Sequence, residues 1–250
     1  MGKKIWIVGG STGIGYELCK CYLDNGHSVV VSARNTSTSQ ELKQISLQYI
    51  GRLTLINMDV TDIQSVKNAT QKAWDSYGAI NLCIYNVGMY ESMKVDEWNL
   101  NHFEDMVQAN YLGAIRVTHS LMPFFIKNTK GHFVFNASIS SYFGLPYGGG
   151  YSATKAALLN FCESIKPELE AKNIEVQVIN HGFVKTRLTA KNDFEMPQLL
   201  EAKDAAHIIF KKLSKSKDFE IHFPFMISSF LYFLKVLPYR VAFYFARKTL

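Results

Sequence analysis

The chain has 250 residues, 48% of them apolar and 19% charged, with a net charge of +6 and a pI near 9.0. That size and composition support a buried core in a single domain and exclude a disordered chain. The basic balance alone would suit nucleic acid, but a phosphate-bearing cofactor or an anionic membrane surface explains the same sign, and no nucleic-acid partner is expected.

The opening "MGKKIWIVGG" lacks the apolar run of a secretory leader, and "MGKKIW" lacks the Ser or Thr of a myristoylation signal. It enters a strand directly: "KIWIVGG" (4–10) is apolar and ends in glycines. The pattern then predicts a helix over 15–26 closed by Asn25-Gly26, a strand over 27–34, a helix over 38–51 and a strand over 52–60. A helix over 62–78, a strand over 80–88, and a long helical stretch over 101–128 with a bend or break near Pro123 follow. After these come a strand over 131–138, a helix over 151–173 with Pro167 inside it, a strand over 174–180 and a seventh strand candidate over 219–223. Near-continuously apolar strands that alternate with helices imply an α/β fold, a doubly wound parallel sheet of Rossmann-like type. Cys19, Cys21, Cys83 and Cys162 follow no CxxC, zinc or disulfide spacing, so no metal is expected and a reducing cytoplasmic compartment is the default.

"VGGSTGIG" (8–15) sits between the first strand and the first helix. Gly9, Gly13 and Gly15 let backbone approach a ligand closely, and the helix N-terminus behind them offers free N–H groups to a pyrophosphate. At the end of the second strand, "SARN" has no carboxylate for a ribose 2′-hydroxyl. Arg34 suits a 2′-phosphate through two charge-assisted bonds, so NADP(H) is expected rather than NAD(H). Asp59 has two readings, acceptor for the adenine amino group or N-cap of the helix over 62–78.

The sequence YxxxK occurs at four places: Tyr16/Lys20, Tyr90/Lys94, Tyr151/Lys155 and Tyr244/Lys248. Only "YSATK" (151–155) follows the fifth strand, with Ser138 at that strand's end and a "YGGG" run between. "GGSTGIG" (9–15), "MDV" (58–60), "YNVG" (85–88), Asn110 in "QANYLGA", Ser138, "YSATK" and "INHGFVKT" (179–186) together resemble the short-chain dehydrogenase/reductase family in its compact single-domain form.

The resemblance implies hydride transfer between nicotinamide and a carbonyl or secondary alcohol. Tyr151 would be the general acid/base, with Lys155 lowering its pKa and binding the nicotinamide ribose. Ser138 would bind the substrate oxygen and Asn110 a proton-relaying water. It implies cofactor contacts from Gly9, Ser11, Thr12, Gly13, Ile14, Gly15, Arg34, Asp59, Val60, Asn86, Gly88, Tyr151, Lys155, Gly182, Val184 and Thr186. It also implies a homodimer or homotetramer built through the two long helices. Tyr85 and Val87 depart from the family's Asn-Asn-Ala-Gly, and His181 replaces a usual proline, either as packing or as a substrate contact. The alternative reading is a catalytically idle, NADP-sensing or membrane-associated binding protein.

Residues 187–200 occupy the place of a substrate loop, either a lid carrying Phe194 and Met196 or a surface loop. Tyr142, Phe143 and Tyr147 are expected to line the opposite wall, which suggests a lipophilic substrate: a 3-oxoacyl thioester, a steroid-like or retinoid-like ketone, or a long-chain keto lipid. The chain divides into a nucleotide-binding and catalytic part over 1–222 and a hydrophobic, aromatic-rich extension of the same domain over 223–250. Two helices are expected there, about 225–236 and 239–248. The tail has three readings: a cover for the pocket, an oligomer interface, or a basic, aromatic contact with a membrane surface.

Overall fold

The computed structural model describes residues 2–248. Strand β1 (Lys4–Val8) passes through a glycine turn into α1 (Gly13–Asp24), followed by β2 (Ser28–Ala33), α2 (Gln40–Gln48), β3 (Leu53–Asn57), α3 (Ile63–Tyr77) and β4 (Leu82–Tyr85). Helices α4 (Leu100–Met106) and α5 (Gly113–Lys127) precede β5 (Gly131–Asn136), and α6 (Gly149–Glu170) precedes β6 (Ile174–His181). Two short strands, β7 (Val184–Lys185) and β8 (Leu200–Glu201), pair with each other before α7 (Ala202–Lys215) and β9 (Glu220–Phe223). The tail is α8 (Phe225–Val236) and α9 (Tyr239–Arg247). The last two residues of the predicted extension lie outside the described residues.

Seven parallel strands form one sheet in the order β3-β2-β1-β4-β5-β6-β9. The chain order reverses between β1 and β4, which creates a crevice at the carboxyl ends of the strands. Val8 lies opposite both Ser32 of β2 and Tyr85 of β4, so these three strands end level and their loops share one rim.

Successive side chains alternate between the two faces. Ile5, Ile7, Val29, Val31 and Ile84 pack beneath α1 and α7. Trp6, Val8, Val30, Tyr85, Phe133 and Phe135 pack with residues of α3, α5 and α6. The buried indole of Trp6 is not left unpaired, because its Nε1 donates to Ser32 Oγ at 2.9 Å. All four cysteines are buried thiols without a disulfide. Cys19 and Cys21, two residues apart, are both buried because α1 is covered by the sheet on one side and by α7 on the other.

The expected break at Pro123 is not there. Pro123 lies inside α5 on its exposed face, where water can solvate the carbonyl that its ring cannot serve. The irregularity falls earlier, in a π-helical turn over Val107–Leu112 that joins α4 to α5. The buried Tyr85 hydroxyl donates to the Ala109 carbonyl within that turn. Gly113 makes room for it, since a Cβ there would lie 2.3 Å from the Tyr85 oxygen. A side chain inserted into the helical ladder is a recognised cause of such a bulge. Tyr85, the departure noted in "YNVG", thus shapes the turn that carries Asn110.

Candidate active site

The glycine turn closes tightly over the end of β1. Gly9 has φ +86°, and its N–H donates to Ser32 O at 2.7 Å. A Cβ on Gly15 would lie 2.3 Å from the Gly9 carbonyl and 2.6 Å from Asn86 Nδ2, so no larger residue fits. The first turn of α1 therefore presents bare backbone. Thr12 stands at the N-cap without using its hydroxyl as a cap. Ser11 is partly exposed beside it, and Ile14 faces the core.

From this turn a chain of hydrogen bonds runs to the conspicuous lysine. Asn86 Nδ2 donates to Gly9 O at 2.8 Å, and Asn86 Oδ1 accepts from Asn136 Nδ2 at 2.7 Å. The Asn136 carbonyl accepts from Lys155 Nζ at 2.8 Å. Lys155 is 3% exposed, and its Nζ lies 5.6 Å from the centre of the Tyr151 ring. Gly88 is adjacent: a Cβ there would come within 3.9 Å of the same Nζ.

Asn110 is a brace. Its Oδ1 accepts from Met89 N at 2.7 Å, while its Nδ2 donates to Met89 O at 2.9 Å and to Thr154 Oγ1 at 3.0 Å. It ties the segment after β4 to α6, one residue from Lys155. These bonds occupy the side-chain amide of the residue expected to hold a relaying water, and they do not involve its backbone carbonyl.

Ser138 lies two residues past β5 and is 7% exposed. Its N–H donates to Asn180 Oδ1 at 3.1 Å, and its hydroxyl accepts from Ser140 N at 3.3 Å and makes a long contact of 3.4 Å to the His181 carbonyl. Asn180 also accepts from Ser141 Oγ at 3.2 Å and donates to Glu220 Oε1 at 2.5 Å. The Tyr142 hydroxyl donates to the same carboxylate oxygen. Asn136, Asn180, Thr154 and Glu220 were all missed from sequence. The one available signal was a polar amide near the carboxyl end of each of two apolar strands, "FNAS" and "VINH".

Burial sets the electrostatics. It pushes the Tyr151 phenol up to about 12, partly countered by a hydrogen bond with Ser138. Burial alone brings the Lys155 ammonium down to about 7. These shifts run opposite to the expectation of a tyrosine made acidic by its lysine. The reason is that Lys155 here serves a neutral carbonyl in a nearly dry site, where both charged forms are disfavoured. Burial also takes His181 down to about 4, with its Nδ1 2.7 Å from the Gly182 carbonyl.

The segment after β6 completes the rim. Thr186 meets the glycine turn, with its Cγ2 3.1 Å from where a Cβ of Gly13 would sit. Gly182 N donates to Phe223 O at 2.8 Å, and Val184 is buried at the β7–β8 pair. Arg34 and Asp59 stand apart from this group, at the ends of β2 and β3. Arg34 is exposed, makes no close ion pair among the described residues, and adds to the positive field on the Asp59 carboxyl. Asp59 accepts from Thr61 N at 2.8 Å and Thr61 Oγ1 at 2.7 Å, and the first of these bonds leads in holding its carboxyl below the usual range. The N-cap reading of Asp59 is overturned, because Asp62 caps α3 through Gln64 N at 2.8 Å. Val60 turns its side chain into the core against Gly113, leaving only its backbone to the rim.

Two expected wall residues are engaged elsewhere. Tyr142 and Phe143 are buried and pack against the tail, with ring centres 5.6 Å from Tyr232 and 6.1 Å from Phe243. Tyr90 is the aromatic next to Tyr151, edge-on at 5.1 Å. Phe194 of the 187–200 loop lies 5.9 Å from Phe183.

Comparison with known proteins agrees with this geometry. The family profile for short chain dehydrogenase matches residues 3–196. An uncharacterised oxidoreductase of Staphylococcus epidermidis is 28% identical over 85% of this chain and 91% of its own. A short-chain dehydrogenase from Streptomyces avermitilis superposes with a TM-score of 0.84 at 21% identity, over 99% of this chain and 97% of that one. Another from Burkholderia cenocepacia, solved in complex with NADP, gives a TM-score of 0.81 at 20% identity over 95% and 98% of the two chains.

Proposed function

The chain belongs to the short-chain dehydrogenase family, and on that premise we propose that it is an NADP(H)-dependent oxidoreductase acting on a carbonyl or secondary alcohol of a lipophilic molecule. The observation that carries this reading is the unbroken run of hydrogen bonds from the glycine turn through Asn86 and Asn136 to the buried Lys155, beside Tyr151 and Ser138.

The residues present fit the cofactor. The cradle at Gly9 and Gly15, which a Cβ would fill, leaves the N–H groups of the first turn of α1 for a pyrophosphate. Arg34, exposed and in no close ion pair among the described residues, suits a 2′-phosphate, in keeping with the NADP held by the Burkholderia relative. Asp59 and the Val60 backbone flank the adenine end. Gly88, Gly182, Val184 and Thr186 frame the nicotinamide end. When bound, the cofactor supplies the hydride.

In the direction of reduction Tyr151 is the proton donor. A Tyr151 phenol with a pKa of about 12 is fully protonated at neutral pH, the state needed to give a proton to a carbonyl oxygen. The Ser138 hydroxyl, fixed by accepting from Ser140 N and lying beside Tyr151, gives up a long contact to the His181 carbonyl to donate to the same oxygen. Lys155, when charged, stabilises the phenolate left behind, and Asn110 keeps α6 in register with the rim through Thr154. Substrates of the 3-oxoacyl thioester, steroid-like or long-chain ketone classes suit the aromatic rim of Tyr90, Phe183 and Phe194. We place the enzyme in the cytoplasm. It is read as a homo-oligomer built on the outer faces of α5 and α6, where Ile115, Met122, Phe161 and Ile165 line an open apolar groove of about 660 Å³.

The test is Tyr151→Phe, assayed by NADPH consumption against these three classes. Turnover is expected to fall by roughly a thousandfold, with NADPH affinity unchanged. Equal turnover in the variant removes the acid–base assignment. Failure of the wild type to bind NADPH removes the cofactor reading, and NADPH binding without turnover on any class leaves the idle, NADP-sensing alternative.

A further inference from the structure

We propose that the outer face of the α8–α9 pair docks on an anionic lipid membrane, with the helices lying in the plane of the interface. The inner face holds the pair to the body of the protein. Ser228, Leu231, Leu234 and Ala242 are buried, and Tyr232 and Phe243 pack on Tyr142 and Phe143. The tail is therefore a fixed surface and not a loose end.

The outer face is apolar and uncovered. Phe225 is 74% exposed, Met226 73%, Val236 66% and Tyr239 75%, with Phe233 and Tyr244 also more than half exposed. So many large apolar side chains on one short segment exceed what a monomer scatters over its surface. The charges on this segment have one sign. From Ile221 onward the sequence contains no Asp or Glu, while Lys235, Arg240, Arg247 and Lys248 are all exposed. Tyr239 and Tyr244 add rings with a polar tip, the type of side chain that settles at the level of lipid headgroups.

Three observations decide among the occupants of this face. No helix among the described residues is long and apolar enough to cross a bilayer, so the pair can lie on a membrane but not span it. A second copy meeting the patch across a two-fold axis would set the four cations against four cations, with no Asp or Glu among the described residues of the patch to answer them. An anionic headgroup layer supplies the missing negative charge, and the acyl region takes the aromatic face.

The patch also begins at the site. Ile227 Cγ2 lies 3.6 Å from where a Cβ of Gly182 would be, and Ile227 N donates to Gln198 Oε1 of the 187–200 loop at 3.2 Å. If the proposed function holds, a lipid-dissolved substrate would reach the rim without crossing water. The docking itself does not depend on that reading.

The experiment is flotation of the full chain with phosphatidylcholine vesicles and with vesicles that also carry phosphatidylglycerol, at low and high salt, alongside its mass by light scattering. Wild type is expected to float with the anionic vesicles and to be released by salt. Met226→Gln/Phe233→Gln/Val236→Gln should abolish flotation with both vesicle types. Lys235→Gln/Arg240→Gln should weaken anionic binding roughly thirtyfold, about fivefold per cation removed. Wild type that sediments with both vesicle types overturns the proposal. If the triple variant instead converts a dimer to a monomer and leaves flotation unchanged, the face is a protein–protein interface and the proposal fails. No substrate enters the assay, so failure of the redox reading and failure of docking remain separable.

Discussion

The cleft and the tail break the ordinary rule of burial in opposite directions. Around β5 and α6 the fold buries groups that water would hold: Lys155, Asn136, Ser138 and Asn180 are each at most 7% exposed. On α8 and α9 it exposes groups that water rejects, with Phe225 and Met226 almost three quarters uncovered. The compensation differs as well. In the cleft Lys155, Asn136, Ser138 and Asn180 each have hydrogen-bonding neighbours, and in the tail nothing within the described residues covers the outer face. A buried polar network with partners marks a site already assembled, while a bare apolar face marks one completed by something else.

The sharpest way to break this contrast is Lys155→Met. The fold lowers the lysine from its usual 10.5 to about 7, so below pH 7 the folded state carries a charge that the unfolded chain solvates better. Between pH 7 and 10.5 the unfolded chain retains a proton that the folded one has shed, so stability without cofactor should rise with pH across that window. Urea unfolding near pH 6 should find the methionine variant more stable by about 2–4 kcal/mol, with the rise toward alkaline pH flattened. A wild-type stability that stays level from neutral to alkaline pH would mean that this ammonium is solvated and that the cleft is not dry.

Asn180→Ala sharpens the same side of the comparison. It strips a partner from the Ser138 N–H, the Ser141 hydroxyl and the Glu220 carboxylate together. Each is a polar group at or near the protein interior, and the expected loss is about 2 kcal/mol in urea unfolding. Turnover should fall roughly tenfold or more as Ser138 drifts, with NADPH affinity preserved. If NADPH affinity falls in parallel, the amide supports the nucleotide cradle and not the serine.

What could be read in advance follows from whether the signal is local. The sheet was legible because apolar strands alternate with capped helices, and the glycine turn because "GGSTGIG" sits between a strand and a helix. The two tail helices were legible from Pro224 and Pro238, which precede their first residues. YxxxK carried no geometry of its own. Lys20 lies 5.5 Å from the Tyr16 ring and Lys248 4.9 Å from the Tyr244 ring, much as Lys155 lies 5.6 Å from Tyr151. Burial separates them, and burial comes from residues far away in the chain. For the same reason the Asn86–Asn136 bond across 50 residues, the Asn180–Glu220 bond across 40 and the π turn levered open by Tyr85 had no local signature. The Pro123 expectation failed because a proline rule is local, while the Tyr85 hydroxyl acts from another strand.

The smallest expected effect belongs to the other half of the comparison. Phe233 is 53% exposed on α8, two residues beyond the buried Leu231. Its exposed ring surface meets water in both the folded and the unfolded chain, so removing that part alters neither state much relative to the other. Glutamine is also a good helix former, so Phe233→Gln adds little backbone penalty. Urea unfolding should place the variant within about 0.5 kcal/mol of wild type, at every protein concentration. A loss several times larger that grows with dilution of the variant would show that the ring is already covered in solution by another copy. The tail would then obey the burial rule after all, and the cleft alone would break it.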